Sequence, residues 1–228
     1  MTGTGQIRAA GNAAQTQVIT AAGAPPGSGV TGGNTATPTL TIGNVHVGAN
    51  TINYQVANQN LTGPALRGAI QTTVGGANIT DASLSGSGVT TGNFGPIAAG
   101  SDGTFQVNFN AASAGALAPL SGQVVRIANN FDNVAEQNIS IVLGAGTAAF
   151  NLAAGDTTPS PVTLANQRVG GTGAQALTVA NTAPAGAFTE VLNASFGANT
   201  GAATNNGGVI TGGLGTGGIA GGRGTTPA

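Results

Sequence analysis

The 228-residue chain carries 41 glycines and 10 prolines, only 5% charged residues, no cysteine and a formal net charge of −1. Soluble domains are usually about 25% charged, and lysine is absent here, the five cations being Arg8, Arg67, Arg126, Arg168 and Arg223. This composition excludes disulfides, thiolate metal sites and thiol catalysis, and offers nothing to attract nucleic acid or an anionic membrane. Glycine plus proline stay just under the roughly 25–30% at which low complexity becomes the default. With a mean hydropathy of +0.18, the chain reads as folded strands joined by loose Gly/Thr/Asn/Ala loops. No stretch approaches the roughly 20 apolar residues of a membrane span. The first residues lack the basic and apolar regions of a signal peptide, so export would need a signal outside this chain or of another kind.

In chain order, Gly5-Gln6-Ile7-Arg8 followed by Gln17-Val18-Ile19 resembles Gly122-Gln123-Val124-Val125-Arg126 followed by Gln137-Asn138-Ile139. Residues 1–24 therefore read as closing strands of a partial domain, and 25–33, with Pro25-Pro26-Gly27-Ser28-Gly29, as a linker. From there period-two alternation dominates. Ile52, Tyr54 and Val56 share one face, as do Phe105, Val107 and Phe109, and Ile139, Ile141 and Leu143. Further strands are expected over 39–47, 66–74, 78–84 and 122–128. Gly75-Gly76, Gly86-Ser87-Gly88, Asp102-Gly103 and Gly115 read as turns. The Ala-rich stretch 111–118 has room for one helical turn. The expected core is Leu40, Ile42, Val47, Ile52, Tyr54, Val56, Phe105, Val107, Phe109, Ile127, Ile139 and Ile141. Seven or eight strands over 34–146 suit an all-β, immunoglobulin-like antiparallel sandwich. A closed barrel or jelly roll also accommodates that many strands.

The same strand pair then recurs about 122 residues on, a period that suits whole tandem domains rather than solenoid coils. Val47-Gly48 and Val56-Ala57-Asn58 match Val169-Gly170 and Val179-Ala180-Asn181. Ile42 and Asn44 match Leu164 and Asn166, and Ile97-Ala98-Ala99-Gly100 matches Ile219-Ala220-Gly221-Gly222. Residues 147–228 thus read as the N-terminal part of a second repeat with a Gly-rich tail, ending where the counterpart of the Phe105 strand would begin.

The run Val179-Ala180-Asn181-Thr182-Ala183-Pro184, followed by Glu190-Val191-Leu192-Asn193-Ala194-Ser195-Phe196, resembles bacterial choice-of-anchor D repeat proteins. These are related in fold to the Ig-like repeats of abnormal-spindle and hydin proteins. The resemblance covers 34–228 and implies an extracellular or cell-surface repeat protein without catalytic residues. The chain departs from that family in showing neither an export signal nor an anchoring segment.

No residue set makes a convincing enzyme. His46, the single histidine, would have to serve any Ser-His-Asp triad, yet there is no Gly-x-Ser-x-Gly elbow. His46 alternates with Val45 and Val47, so it reads as an outward strand residue. Gly27/Gly29/Gly32 and Gly213/Gly215/Gly218 spell Gly-x-Gly-x-x-Gly, but neither has the preceding strand and following helix of a dinucleotide site. Asp81, Asp102 and Asp132 are too scattered for the six to eight oxygens of a calcium site, and Asp102-Gly103 reads as a hairpin turn. Asn60, Asn78, Asn138 and Asn193 begin glycosylation sequons of a kind that chance produces in an Asn/Thr-rich chain. Catalytic, cofactor and metal residues are thus expected to be none.

The leading expectation is a non-catalytic structural or adhesive module whose partners are neighbouring repeats, copies of itself, or a surface glycan or matrix. A filament, sheath or coat subunit completed by strand exchange between chains is the second, and a carbohydrate-binding sandwich the third. For the second, the N-terminal strands of one molecule would complete the C-terminal partial domain of the next. For both ends the preferred reading is a segment cut from a longer repeat protein, because the counterpart of the Phe105 strand is missing from both and strand addition normally supplies what is lacking.

Overall fold

Alternating apolar and polar residues, joined by Gly, Asn and Thr turns, give a chain of strands. The structure, a computed structural model, describes residues 16–19, 27–33, 35–58, 64–75, 77–120, 124–130, 136–198 and 218–225. In order, the strands are β1 (Thr16–Ile19), β2 (Gly29–Thr31), β3 (Thr39–Ile42), β4 (Val45–His46), β5 (Gly48–Ala57), β6 (Leu66–Gln71), β7 (Thr73–Val74), β8 (Ala77–Asn78) and β9 (Leu84–Ser85). They continue as β10 (Gly92–Ile97), β11 (Asp102–Ala111), β12 (Gly115–Ala116), β13 (Val124–Asn129), β14 (Gln137–Leu143), β15 (Ala148–Phe150), β16 (Gly155–Thr158), β17 (Thr178–Asn181) and β18 (Arg223–Thr225). Among the described residues there is no helix, hence none long and apolar enough to cross a membrane. The chain divides into two units, Met1–Ala149 and Phe150–Ala228.

Unit 1 holds a four-stranded sheet in the order β1-β5-β11-β9 and a six-stranded sheet in the order β10-β6-β13-β14-β3-β2. Every pairing in them is antiparallel except β14 with β3, which run parallel with Ile141 opposite Leu40 and Leu143 opposite Ile42. The inward residues of both sheets join one buried cluster, among them Leu40, Ile42, Ile52, Tyr54, Val107, Val125, Ile127, Ile139 and Ile141. This arrangement is compatible with a β-sandwich. At about 1.5–3 kcal/mol for each fully buried large aliphatic side chain, the cluster is the main source of stability. Tyr54 stacks on Phe105 with ring centroids 5.6 Å apart, and Phe94 meets Phe105 edge-on at 5.2 Å. The Tyr54 hydroxyl donates to Gly88 O at 2.8 Å, which satisfies the one polar atom that this ring carries inside.

Eleven of the twelve expected core residues are buried; Val47 is not, at 37% exposed, and Val45 lies inside instead. The expected strand 39–47 is broken. Asn50 Oδ1 accepts from His46 N, and Asn50 Nδ2 donates to the carbonyls of His46 and Gly48. Gly48 then turns at φ +101°. The inward positions change parity between Ile42 and Val45, across the Gly43-Asn44 step that separates β3 from β4, and change back between Val45 and Ile52, where this kink lies. The expected strand 66–74 is likewise divided between β6 and β7.

Three other expectations are corrected. Residues 78–84 are not one strand, because Ser83 N donates to Asp81 Oδ1 at 2.8 Å and Leu84 N to Asp81 O. This side-chain turn diverts the chain between β8 and β9. Asp102 and Gly103 lie inside β11, opposite Ala57 and Val56; the turn falls at Ala99–Gly100. Residues 111–118 form no helical turn, since Gly115 and Ala116 pair with Ala149 and Ala148.

Unit 2 contains one sheet, in the order β16-β17-β18. Asn181, Ala183, Ile219 and Gly221 are its buried residues among those described, and Phe150 packs edge-on against Phe188 with centroids 5.8 Å apart. No strand occurs between Thr158 and Thr178.

Candidate functional site

The most constructed polar feature of unit 1 is a clasp around Asn58, at the end of β5. Its side chain is buried, 1% exposed, and its Nδ2 donates to Ile97 O at 3.1 Å and to Pro64 O at 3.2 Å. Its main chain receives Gly100 N at 2.8 Å and donates to Ser101 O at 2.9 Å. One side chain thus ties together the end of β5, the end of β10 and the loop before β6. Gly100 closes the turn at φ +71°, a left-handed conformation that glycine adopts without the Cβ clash of other residues.

Unit 2 builds the same clasp around Asn181, also 1% exposed. Its Nδ2 donates to Ile219 O at 2.9 Å and Glu190 O at 2.9 Å. Asn181 O receives Gly222 N at 2.9 Å, and Gly222 again has φ +71°. The strands recur in register. Ala57 and Val56 face Asp102 and Gly103 across β5 and β11, and Ala180 and Val179 face Gly224 and Thr225 across β17 and β18. One difference remains. Asn181 Oδ1 accepts from Ala154 N and Ala183 N, whereas Asn58 Oδ1 is buried with no hydrogen-bond partner among the described residues.

The residues singled out for chemistry are dispersed. His46 is half-buried at the end of β4. The Asp81 carboxylate holds its own turn. Glu136 forms an ion pair with Arg126, and Asp156 lies 3.5 Å from the Thr158 hydroxyl. Asp102 is exposed at the rim of an open depression of about 460 Å³ lined by Phe94, Pro96, Ile97, Thr104 and Phe105. Asp132, Asn60, Gly213 and Gly215 lie outside the described residues, as does the side chain of Asn78. Asn138 and Asn193 are exposed. Gly27, Gly29 and Gly32 surround β2, with no helix to follow. Among the described residues no three His, Cys, Asp or Glu side chains are grouped as metal ligands require.

The lining of the depression includes one carboxylate, Asp102, and the residues Phe94 and Phe105. The sequence signal of the clasps is the recurrence of Val-Ala-Asn and Ile-Ala-(Ala/Gly)-Gly. Nothing local showed that the asparagine reaches the isoleucine carbonyl about 39 residues on. No protein family matches the chain, and no curated protein matches it.

Proposed function

We propose that the chain is a non-catalytic structural or adhesive module of a bacterial cell surface, built from tandem Ig-like sandwiches. The observation that carries this reading is the recurrence of the asparagine clasp in unit 2, with the same donor, the same isoleucine carbonyl and the same glycine turn. The strand orders support the Ig-like assignment of unit 1. The order β1-β5-β11-β9 corresponds to an A-B-E-D sheet, and β6-β13-β14 to the facing C-F-G sheet. Repeated sandwiches make stiff spacers that need no active site. The resemblance to choice-of-anchor D repeats and the scarcity of charge fit an extracellular setting, with neighbouring repeats as the first partners and a surface glycan or matrix as the second.

The test is a panel of glycan and ester substrates incubated with the full chain, beside a glycan-binding array. No turnover is expected. Turnover that disappears in His46→Ala or Asp102→Asn overturns the reading. Binding to one glycan class, lost when Phe94 is replaced by alanine, moves the assignment to a carbohydrate-binding sandwich.

A further inference from the structure

Unit 2 exposes an apolar segment whose counterpart in unit 1 is covered by a strand of unit 1 itself. Leu40 and Ile42 of β3 are completely buried, and β14 lies beside them in parallel. Their counterparts one repeat on are Val162 and Leu164, which are 50% and 48% exposed in a segment that forms no strand. Val169, counterpart of Val47, is fully exposed. Unit 1 therefore shows what kind of element covers this edge: a strand patterned like Gln137–Leu143, running parallel to it.

We propose that residues 160–166 accept β1 of a second copy of this chain in that position. Gln17-Val18-Ile19 repeats the spacing of Gln137-Asn138-Ile139, so aligning them places Ile19 where Ile139 stands in unit 1. Strand addition of this type satisfies the open backbone groups and covers the apolar side chains together.

The structure also shows why β1 is exchangeable. It occupies the edge of β5. In unit 2 the matching edge of β17 is filled by the local strand β16. Gly33-Asn34-Thr35 is the counterpart of Gly155-Asp156-Thr157 in β16, so unit 1 carries its own replacement for β1. In unit 2 that arrangement brings Ala154 N to Asn181 Oδ1; in unit 1, where β1 holds the edge, Asn58 Oδ1 has no donor among the described residues. Moving 32–36 onto β5 gives up the bonds from Gln137 Nε2 to Gly33 O and Thr35 O and from Asn138 N to Ala36 O, and brings the N–H of Gly32, the counterpart of Ala154, to Asn58 Oδ1. The result is a head-to-tail contact, which propagates into a fibre unless it closes as a ring.

The experiment uses sedimentation of the full chain, of Leu164→Asp, and of a chain lacking residues 1–24. Leu164 is half-exposed, so its replacement leaves the fold intact, which circular dichroism checks. The full chain is expected to assemble with rising concentration. Each variant alone is expected to stay monomeric, and an equal mixture of the two to form one dimer, since each supplies what the other lacks. The chain has no cysteine, so a mixture of Ile19→Cys and Ser160→Cys chains is expected to give one disulfide-linked dimer. In a separate arm, a peptide of residues 136–144 is expected to bind the full chain and not Leu164→Asp. Peptide binding without assembly of the full chain overturns the second copy as donor. Failure of the peptide to bind overturns the acceptor edge itself, and assembly that survives both variants overturns the contact. The inference rests on the tandem-repeat reading only for the correspondence between units: an inert monomer would sink this inference alone, and substrate turnover by a chain that assembles would sink only the non-catalytic reading.

Discussion

Asn58 and Asn181 each send a buried amide to the carbonyl of an isoleucine, Ile97 in one unit and Ile219 in the other, at 3.1 and 2.9 Å. Removing such a side chain leaves buried carbonyls without donors, at about 1–3 kcal/mol. Asn58→Ala and Asn181→Ala are each expected to lower stability by that amount, measured by urea unfolding. A loss confined to the range of surface substitutions, below about 0.5 kcal/mol, would mean that the clasp is not a stabilising element.

The turn glycines form a second matched pair. Gly100 and Gly222 both sit at φ +71°, where a Cβ costs about 1–2 kcal/mol. Gly100→Ala and Gly222→Ala are expected to destabilise by similar amounts. Equal stability of both alanine variants and the parent chain would show that these turns relax freely to another conformation.

Valines separate the two faces of unit 1. Val107 is fully buried and Val47 is 37% exposed. Val107→Ala is expected to cost roughly 1–3 kcal/mol, and Val47→Ala less than about 0.5 kcal/mol. Thermal unfolding of both variants checks the order, and a reversed order would place the kink at Gly48 wrongly.

Tyr54 is the single tyrosine of a chain without tryptophan, so its ionisation can be followed by absorbance without interference. Burial raises its pKa far above the ordinary 10.0, because the phenolate would lose its hydration. The unfolded chain then releases the proton at a lower pH than the folded one. The stabilisation is complete below about pH 10 and falls by about 1.4 kcal/mol for each pH unit above it, until the folded pKa is reached. The phenolate band is expected to appear only with unfolding. A native circular dichroism spectrum accompanied by full ionisation near pH 10 would contradict the buried position. Tyr54→Phe, which removes the bond to Gly88 O, is expected to cost about 1 kcal/mol.

Much of this architecture was legible in the chain. Ile52, Tyr54 and Val56, and Phe105, Val107 and Phe109, announce their common face by alternation, and both triplets are buried. Val56-Ala57-Asn58 recurs in the sequence as Val179-Ala180-Asn181, and both asparagines are buried. Where the reading failed, a side-chain-to-backbone bond had overridden the pattern. Asn50 interrupts the strand at Val47, and Asp81 breaks 78–84. A residue that bonds to backbone within a few positions competes with the sheet ladder, and its choice depends on which strand lies alongside.

Residue order alone carries the all-β class, the recurring strand-pair sequence and most of the inward faces of unit 1, because the two-residue period of a strand is written directly in it. It also set the chemical poverty of the chain: one histidine, no cysteine and no lysine. Tertiary structure alone decided that Asn58 and Asn181 are clasps, that β14 runs parallel to β3, and that Leu40 is covered while Val162 is half-exposed. Leu40 and Val162 have similar neighbours in sequence and opposite environments. Burial depends on which distant strand arrives beside a residue, and local alternation carries no information about that strand.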